Sequence, residues 1–416
     1  MRTKPTTIVA QPEVLYMSLE LSASHWKLAF TTSLCQRPRI RNVAAGQLKQ
    51  LESEIAAAKA RFKLDDSVPV ISSYEAGRDA FWLHRCLVSM GVESHIVDPA
   101  SIQVNRRKKN AKTDRIDAQK IVNALIRFKA GDRFACRMIR IPDQAHEDAR
   151  HLSRELKSLK KERTAHACRI QGLLVTQGCD LAINRNFSNS LKTIRGGDRK
   201  PLGDRLVARL KREHERLVLV TEQIRELQKE QFALLRKART EIARSDRSYQ
   251  DQLTKIAEHL VTLRGIGSVT AFTLSGEIFA WRDIGNRRQL AAFVGLTPTP
   301  HASGDLEKEQ GISKSGRSDL RVLMIEVAWL WLRYQAESKL SKWYAKRFAN
   351  GASRQRKIGI VALARKLLVA LGKYVNDGEI PEGAQLSEKI SAQYLTSLNP
   401  KASRNKQQNQ SIATAT

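Results

Sequence analysis

Residues 67–91 read SVPVISSYEAGRDAFWLHRCLVSMG, and the change of pattern inside them decides the fold. An apolar run up to Tyr74 reads as a strand, residues 75–77 as a turn, and the remainder up to Met90 as a helix. A strand feeding a helix is the unit of an α/β sheet. It leaves Glu75 at the C-terminal end of its strand, where open α/β sheets carry their chemistry.

Upstream, VLYMSLEL (residues 14–21) and SASHWKLAFTT (22–32) read as a strand pair around a short turn, followed by an Ala-, Glu- and Lys-rich helix over 48–62. Glu20 falls within the first apolar strand, a costly position for a carboxylate unless it is partnered or binds a metal. Downstream come a strand, VESHIVDP (92–99), and a helix over 114–128. The expected unit is an α/β domain over residues 14–140.

Between that strand and helix lies NRRKKNAKTDRID, residues 105–117. It places Arg106, Arg107, Lys108, Lys109 and Lys112 just before Asp114 and Asp117. Helical residues three apart share a face, so both carboxylates can reach one divalent ion while the cations hold a phosphate backbone. With Glu20 and Glu75 they make a four-carboxylate set of the kind a magnesium-dependent phosphoryl-transfer site needs. The alternative reading makes Asp114 an N-cap, Asp117 a first-turn acid favoured by the helix dipole, and the basic run a surface loop.

The whole chain of 416 residues carries 72 Lys and Arg against 42 Asp and Glu, a net charge of +30. An excess spread so widely points to a polyanionic partner, nucleic acid before any other. No apolar run reaches 18 residues and the N-terminus has no signal-peptide core, so a membrane or secretory role is not expected. The five cysteines form no CxxC pair, which fits a reducing cytosol without structural zinc.

Residues 146–250 read as two long helices around a polar connector, 178–202, forming an antiparallel hairpin or coiled-coil arms for dimerisation. Residues 251–376 form a mainly α unit. In it LRGIGSVTA (263–271) has the form of a helix-hairpin-helix turn, with Gly265 and Gly267 freeing amides for a phosphate; a tight inter-helix turn is the alternative. GLTPTPHASGDLEKEQGISKSGRSDLR (295–321) places Ser303 in an irregular loop, followed by Lys314, Arg317 and Arg321. An accessible serine with cations nearby suits attack on a phosphodiester; a glycine-rich clamp without covalent chemistry is the rival reading. Basic stretches with aromatics recur at 342–347 and 354–357, and residues 377–416 read as a largely disordered, low-complexity tail.

From about residue 14 to 371 the chain resembles the insertion sequence 110 and 1111 transposases, the bridge-RNA-guided DEDD recombinases. Residues 113–118 read TDRIDA, similar to the family's TDRxDA. Residues 74–85, YEAGRDAFWLHR, are similar to YEAGxxGFWLHR, and residues 17–25, MSLELSASH, stand where the family has a motif like GIDVxKxxH, from which they depart with Glu20 in place of the aspartate and Ser18 in place of the glycine. Residues 295–321 follow the C-terminal pattern around the family's serine.

The resemblance implies a RuvC-like domain of ribonuclease H fold whose Glu20, Glu75, Asp114 and Asp117 hold Mg2+. It also implies a Ser303–DNA covalent intermediate, a guiding bridge RNA, donor and target DNA, homodimers paired into a tetramer, and a cytoplasmic, nucleoid-associated location. The rival mechanism keeps the metal and replaces Ser303 by activated water. A catalytically inactive architectural protein is the reading from another class.

Overall fold

The structure is a computed structural model that describes residues 13–77, 80–102, 114–243, 251–282, 284–303 and 306–387. The chain divides after Pro142 into two compact units.

The first unit is built on β1 (Leu15–Leu21), β2 (His25–Thr31), β3 (Arg39–Ala44), α1 (Leu48–Phe62), β4 (Val70–Glu75), α2 (Ala80–Ser89), β5 (Glu93–Val97) and α3 (Asp114–Lys129). The strands form one sheet in the order β3-β2-β1-β4-β5, antiparallel from β1 to β3 and parallel from β1 to β5. Alternation sorts the side chains of β1: Leu15, Met17 and Leu19 enter the core that holds Leu51 of α1 and Leu83 of α2, while Tyr16 packs on the opposite face with Ala118 and Val122 of α3. After α3 the chain returns along β5, where Val97 bridges Met138 and Ile139 N donates to Ile96 O at 2.7 Å.

β3 is absent from the sequence reading for a physical reason. Of its six residues, RIRNVA, only Val43 is buried, so an edge strand paired through its backbone leaves no hydrophobic alternation to read.

The second unit begins with α4 (Gln144–Ala149), α5 (His151–Val175), α6 (Phe187–Ser190) and α7 (Asp204–Ala243). α5 and α7 run antiparallel: Leu156 and Leu159 pack with Val220 and Ile224, and farther along His166 Nδ1 lies 2.7 Å from Glu213 Oε2. The connector is more than polar chain, since Phe187 and Leu191 are buried with Ile170 and Leu210 and close the end of the pair.

The rest comprises α8 (Gln252–Val261), α9 (Ser268–Leu274), a π-helical turn (Ser275–Phe279), α10 (Arg287–Phe293), β6 (Pro298–Ser303), β7 (Leu306–Ile312), α11 (Ser318–Tyr334), α12 (Lys339–Phe348) and α13 (Ser353–Asp377). One core gathers Leu260, Phe272, Val294, Met324, Trp331 and Leu367, and it includes Leu235 of α7. The arm and the C-terminal elements therefore share a core within this unit. Among the described residues no helix is long and apolar enough to cross a membrane.

Two more expectations change. Residues 298–312 are an antiparallel hairpin where an irregular loop was expected, because Pro298, Pro300 and Gly311 mask its alternation. From the stretch read as tail, residues 378–387 fold back on the core. Gln385 N donates to Gln335 Oε1 at 2.7 Å, Gln335 Nε2 and Arg264 N donate to Gln385 O, and Ser387 N donates to Thr262 O at 2.8 Å. Truncation after Asp377 removes these bonds and leaves Oε1 of Gln335, a fully buried residue, without its donor, while Nε2 keeps its bond to Arg264 O. It is expected to cost about 3 kcal/mol of stability, to be read as a lower midpoint in chemical denaturation.

Candidate active site

The acids of the first unit are positioned by strand register. The β1–β4 ladder ends with Leu19 opposite Tyr74, and the next residues along these two parallel strands are Glu20 and Glu75. They stand side by side at the strands' C-terminal ends. Since Leu19 and Tyr74 belong to the α1/α2 core, Glu20 and Glu75 take the opposite face, the one covered by α3. Both are half-buried, and Lys27 is paired with Glu20 across β2.

A buried serine fixes α3 on that face. Ser18 Oγ donates to Ala118 O at 2.6 Å, joining the middle of β1 to the first turns of α3. A side chain at residue 18 is therefore used in holding the helix down. Asp114 is the first residue of α3 and Asp117 follows in the same turn. Asp117 accepts a bond from Lys120 Nζ at 2.9 Å. Among the described residues no group of three or more His, Cys, Asp or Glu stands close enough to hold a metal ion. Of the sequence-derived acids, then, register makes neighbours of Glu20 and Glu75, and Asp117 is held in an ion pair. Arg106, Arg107, Lys108, Lys109 and Lys112 lie outside the described residues.

In the second unit, Ser303 is the last residue of β6, paired with Leu306 across the hairpin end. The hairpin is fixed at its base: Ser313 N donates to Thr297 O at 2.8 Å, and Arg321 Nη1 donates to Val294 O and Lys314 O, each at 3.1 Å. Two glycines permit this closure. Gly295 has φ +70° and Gly316 φ +111°, and a Cβ on Gly316 would stand 2.5 Å from Phe293 O.

Arg317 is committed to an internal network. Its Nη1 reaches Glu277 Oε2 at 2.9 Å, and its Nε and Nη2 reach both oxygens of Asp319 at 2.9 Å. Glu277, on the π-helical turn and only 3% exposed, also accepts from Arg150 Nη2 at 3.1 Å and Arg154 Nε at 2.7 Å. Lys157 completes the set on Asp319 at 2.9 Å. The network ties the start of α5 to the loop that closes the hairpin base. Arg317 and Arg321, expected as phosphate ligands, thus also brace this loop, whereas Lys314 is exposed, with φ +54°.

Sequence reasoning missed Glu277 and Asp319. The available signal was an acid inside the apolar run FTLSGEIF, the same anomaly that marked Glu20. Gly265, at φ +92°, lets the α8–α9 turn lie against Tyr334, whose Cβ would be 3.1 Å from an added methyl, and Gly267 is the N-cap of α9.

Burial works against ionisation of Glu277, but the hydrogen bond from Arg154 and the charges of Arg150 and Arg317 outweigh it and lower the pKa from 4.5 to about 2. A carboxyl whose pKa falls on folding stabilises the protein fully above its unfolded value. That contribution is lost as pH drops from about 4.5 toward 2. Glu277→Gln is expected to destabilise the protein by about 3–5 kcal/mol at neutral pH, since it leaves buried guanidinium charge unmatched. It should also flatten the pH dependence of thermal stability below pH ~5, both read by melts across pH.

Comparison with known proteins agrees along nearly the whole chain. Residues 31–177 match the DEDD transposase model of IS110, and residues 257–344 match the model described as transposase IS116/IS110/IS902 family. A putative transposase, y4rJ of Sinorhizobium fredii, is 41% identical over 91% of this chain and 96% of its own length. The transposase for insertion sequence element IS1111A of Coxiella burnetii is 28% identical over 60% of this chain and 63% of its own. That for IS1328 of Yersinia enterocolitica is 26% identical over 72% and 81%.

Proposed function

The chain belongs to the IS116/IS110/IS902 family of transposases, enzymes that cut and rejoin DNA, and from that premise we propose a division of labour between its two units. Carboxylates of the first hold a divalent metal, Mg2+, and Ser303 of the second is the nucleophile. The observation that carries the reading is the register that makes Glu20 and Glu75 neighbours beneath the first turn of α3. The strand order and directions agree with a ribonuclease H fold of RuvC type.

The donor set fits such an ion in kind. Glu20, Glu75, Asp114 and Asp117 offer only carboxylate oxygens, the ligands that hard divalent cations prefer. When bound, the metal supplies Lewis-acid polarisation of the phosphodiester and stabilises charge on the leaving oxygen. The chain's own residues do the rest. Ser303 gives up its hydroxyl proton and bonds to phosphorus as the strand's P–O bond breaks, forming a serine–DNA ester that keeps the energy of the broken link. A hydroxyl of the partner strand then displaces Ser303 and takes the phosphate, so no nucleotide cofactor is consumed.

Target choice belongs, in this reading, to a bridge RNA that pairs with donor and target DNA, the basic protein gripping backbones without reading bases. The α5–α7 pair serves as a coiled-coil arm for dimers that assemble into a tetramer. The α8–α9 turn acts as a helix-hairpin-helix-like phosphate contact.

The second reading has water attack in place of Ser303. The two part in one assay, in which purified protein with its co-purified RNA is incubated with Mg2+, donor DNA and target DNA. Ser303→Ala is expected to abolish the protein–DNA adduct on denaturing gels and to reduce strand exchange by at least about 100-fold. Asp114→Asn with Asp117→Asn should abolish both while leaving the melting temperature in place. Strand exchange that survives Ser303→Ala without an adduct would establish the water mechanism instead.

A further inference from the structure

A cavity of about 780 Å³ opens where α12 and α13 meet the base of the β6–β7 hairpin, a volume in the range of ligand sites. Six cations line it: Lys314, Arg347, Arg354, Lys357, Arg365 and Lys366. Among the described residues no acid lines it and none of the six forms an ion pair. Such an accumulation of like charge is costly unless an anion neutralises it.

The neighbouring cavity shows the contrast. It has a volume of about 680 Å³ and shares Arg365 and Lys366, but there Glu382 pairs with Lys339 at 2.6 Å and Glu379 with Lys373 at 3.0 Å. Two of the six cations on that side, Lys339 and Lys373, are thus answered by the protein itself, whereas in the larger cavity none is.

The floor of the larger cavity is apolar and aromatic. Trp343 and Phe348 contribute rings 5.5 Å apart, and Lys366 Nζ stands 4.8 Å from the Trp343 ring. Ile358 is 55% exposed at its edge. Cations around a half-buried aromatic floor fit nucleotides whose bases are out of the stack, with phosphates on the rim and a base on the ring. A duplex, its bases stacked inside, could use only the rim.

We propose that this cavity binds a single-stranded or extruded segment of the DNA substrate, stacking a base on Trp343 and neutralising flanking phosphates with Arg354 and Lys357. The proposal rests on the transposase reading for its DNA partner and not on the covalent role of Ser303. DNA is favoured over RNA on two grounds. Leu296, Pro298 and Ile312 of the cavity wall come from the root of the hairpin that carries Ser303. Among the described residues the lining also has no hydroxyl, amide or carboxylate side chain to accept the proton of a ribose 2′-hydroxyl.

The test is fluorescence anisotropy of full-length protein with a labelled single-stranded DNA oligonucleotide, its duplex, and RNA of the same sequence, across salt. Trp343→Ala is expected to weaken single-strand binding about 10-fold or more, with duplex affinity held within about 2-fold. Trp343→Phe, which keeps a stacking ring, should recover most of that loss. Because Arg354 and Lys357 are exposed, Arg354→Ala with Lys357→Ala tests the site without opening the core. That double variant should reduce the slope of log affinity against log salt by about 1.4 on single strands. Unchanged single-strand affinity in these variants, equal losses on single strand and duplex for Trp343→Ala, or a larger loss on RNA than on DNA would each overturn the proposal. Ser303→Ala should bind the single strand normally, so failure of the covalent mechanism and failure of this site give different results.

Discussion

The pairing of β1 with β4 is the constraint on which the first unit depends. In a parallel pair each step of register turns every side chain to the other face. The match of Leu19 with Tyr74 therefore fixes two things together: the apolar residues meet the α1/α2 core, and Glu20 and Glu75 come side by side beneath α3. A one-residue slip would bury a glutamate in that core at a cost of several kcal/mol. Ser18 secures the second layer, since its hydroxyl on the Ala118 carbonyl keeps the start of α3 above the strand that carries Glu20.

The second unit solves a comparable problem with charge. The loop after the hairpin has little apolar content, so it is held by guanidinium groups that reach inward to Glu277, Asp319 and backbone carbonyls. The π-helical turn puts Glu277 where three arginines from two other segments converge. Extra turns of this kind often accompany functional sites, and here the turn supports the base of the hairpin whose first strand ends in Ser303. The cations of the neighbouring groove are different in kind because they lack such partners among the described residues.

How far the sequence could be read follows from what each segment buries. β1, β4 and α1 were legible because alternation or helical spacing carries their packing, and Glu20 stood out as a charge in an apolar run. β3 and the β6–β7 hairpin were not, since one is an edge strand with a single buried residue and the other is broken by prolines and glycine. The Glu277 network was hidden for another reason. Its members come from residues 150, 154, 277, 317 and 319, and no local pattern announces that they meet. Arg317 and Arg321 read as phosphate ligands from their neighbourhood, and only the three-dimensional arrangement shows them bracing a loop.

Strand register sets Glu20 beside Glu75, and the cation site proposed from that pairing requires both carboxylates to hold one ion. The most direct measurement is Mn2+ binding to the full-length protein, followed by electron paramagnetic resonance, for the unaltered chain and for Glu20→Gln and Glu75→Gln separately. Each substitution alone is expected to weaken binding by about 10-fold or more, because each removes a ligand of the same ion. If either variant binds Mn2+ as the unaltered chain does, the two carboxylates do not share an ion and the account of the first unit fails.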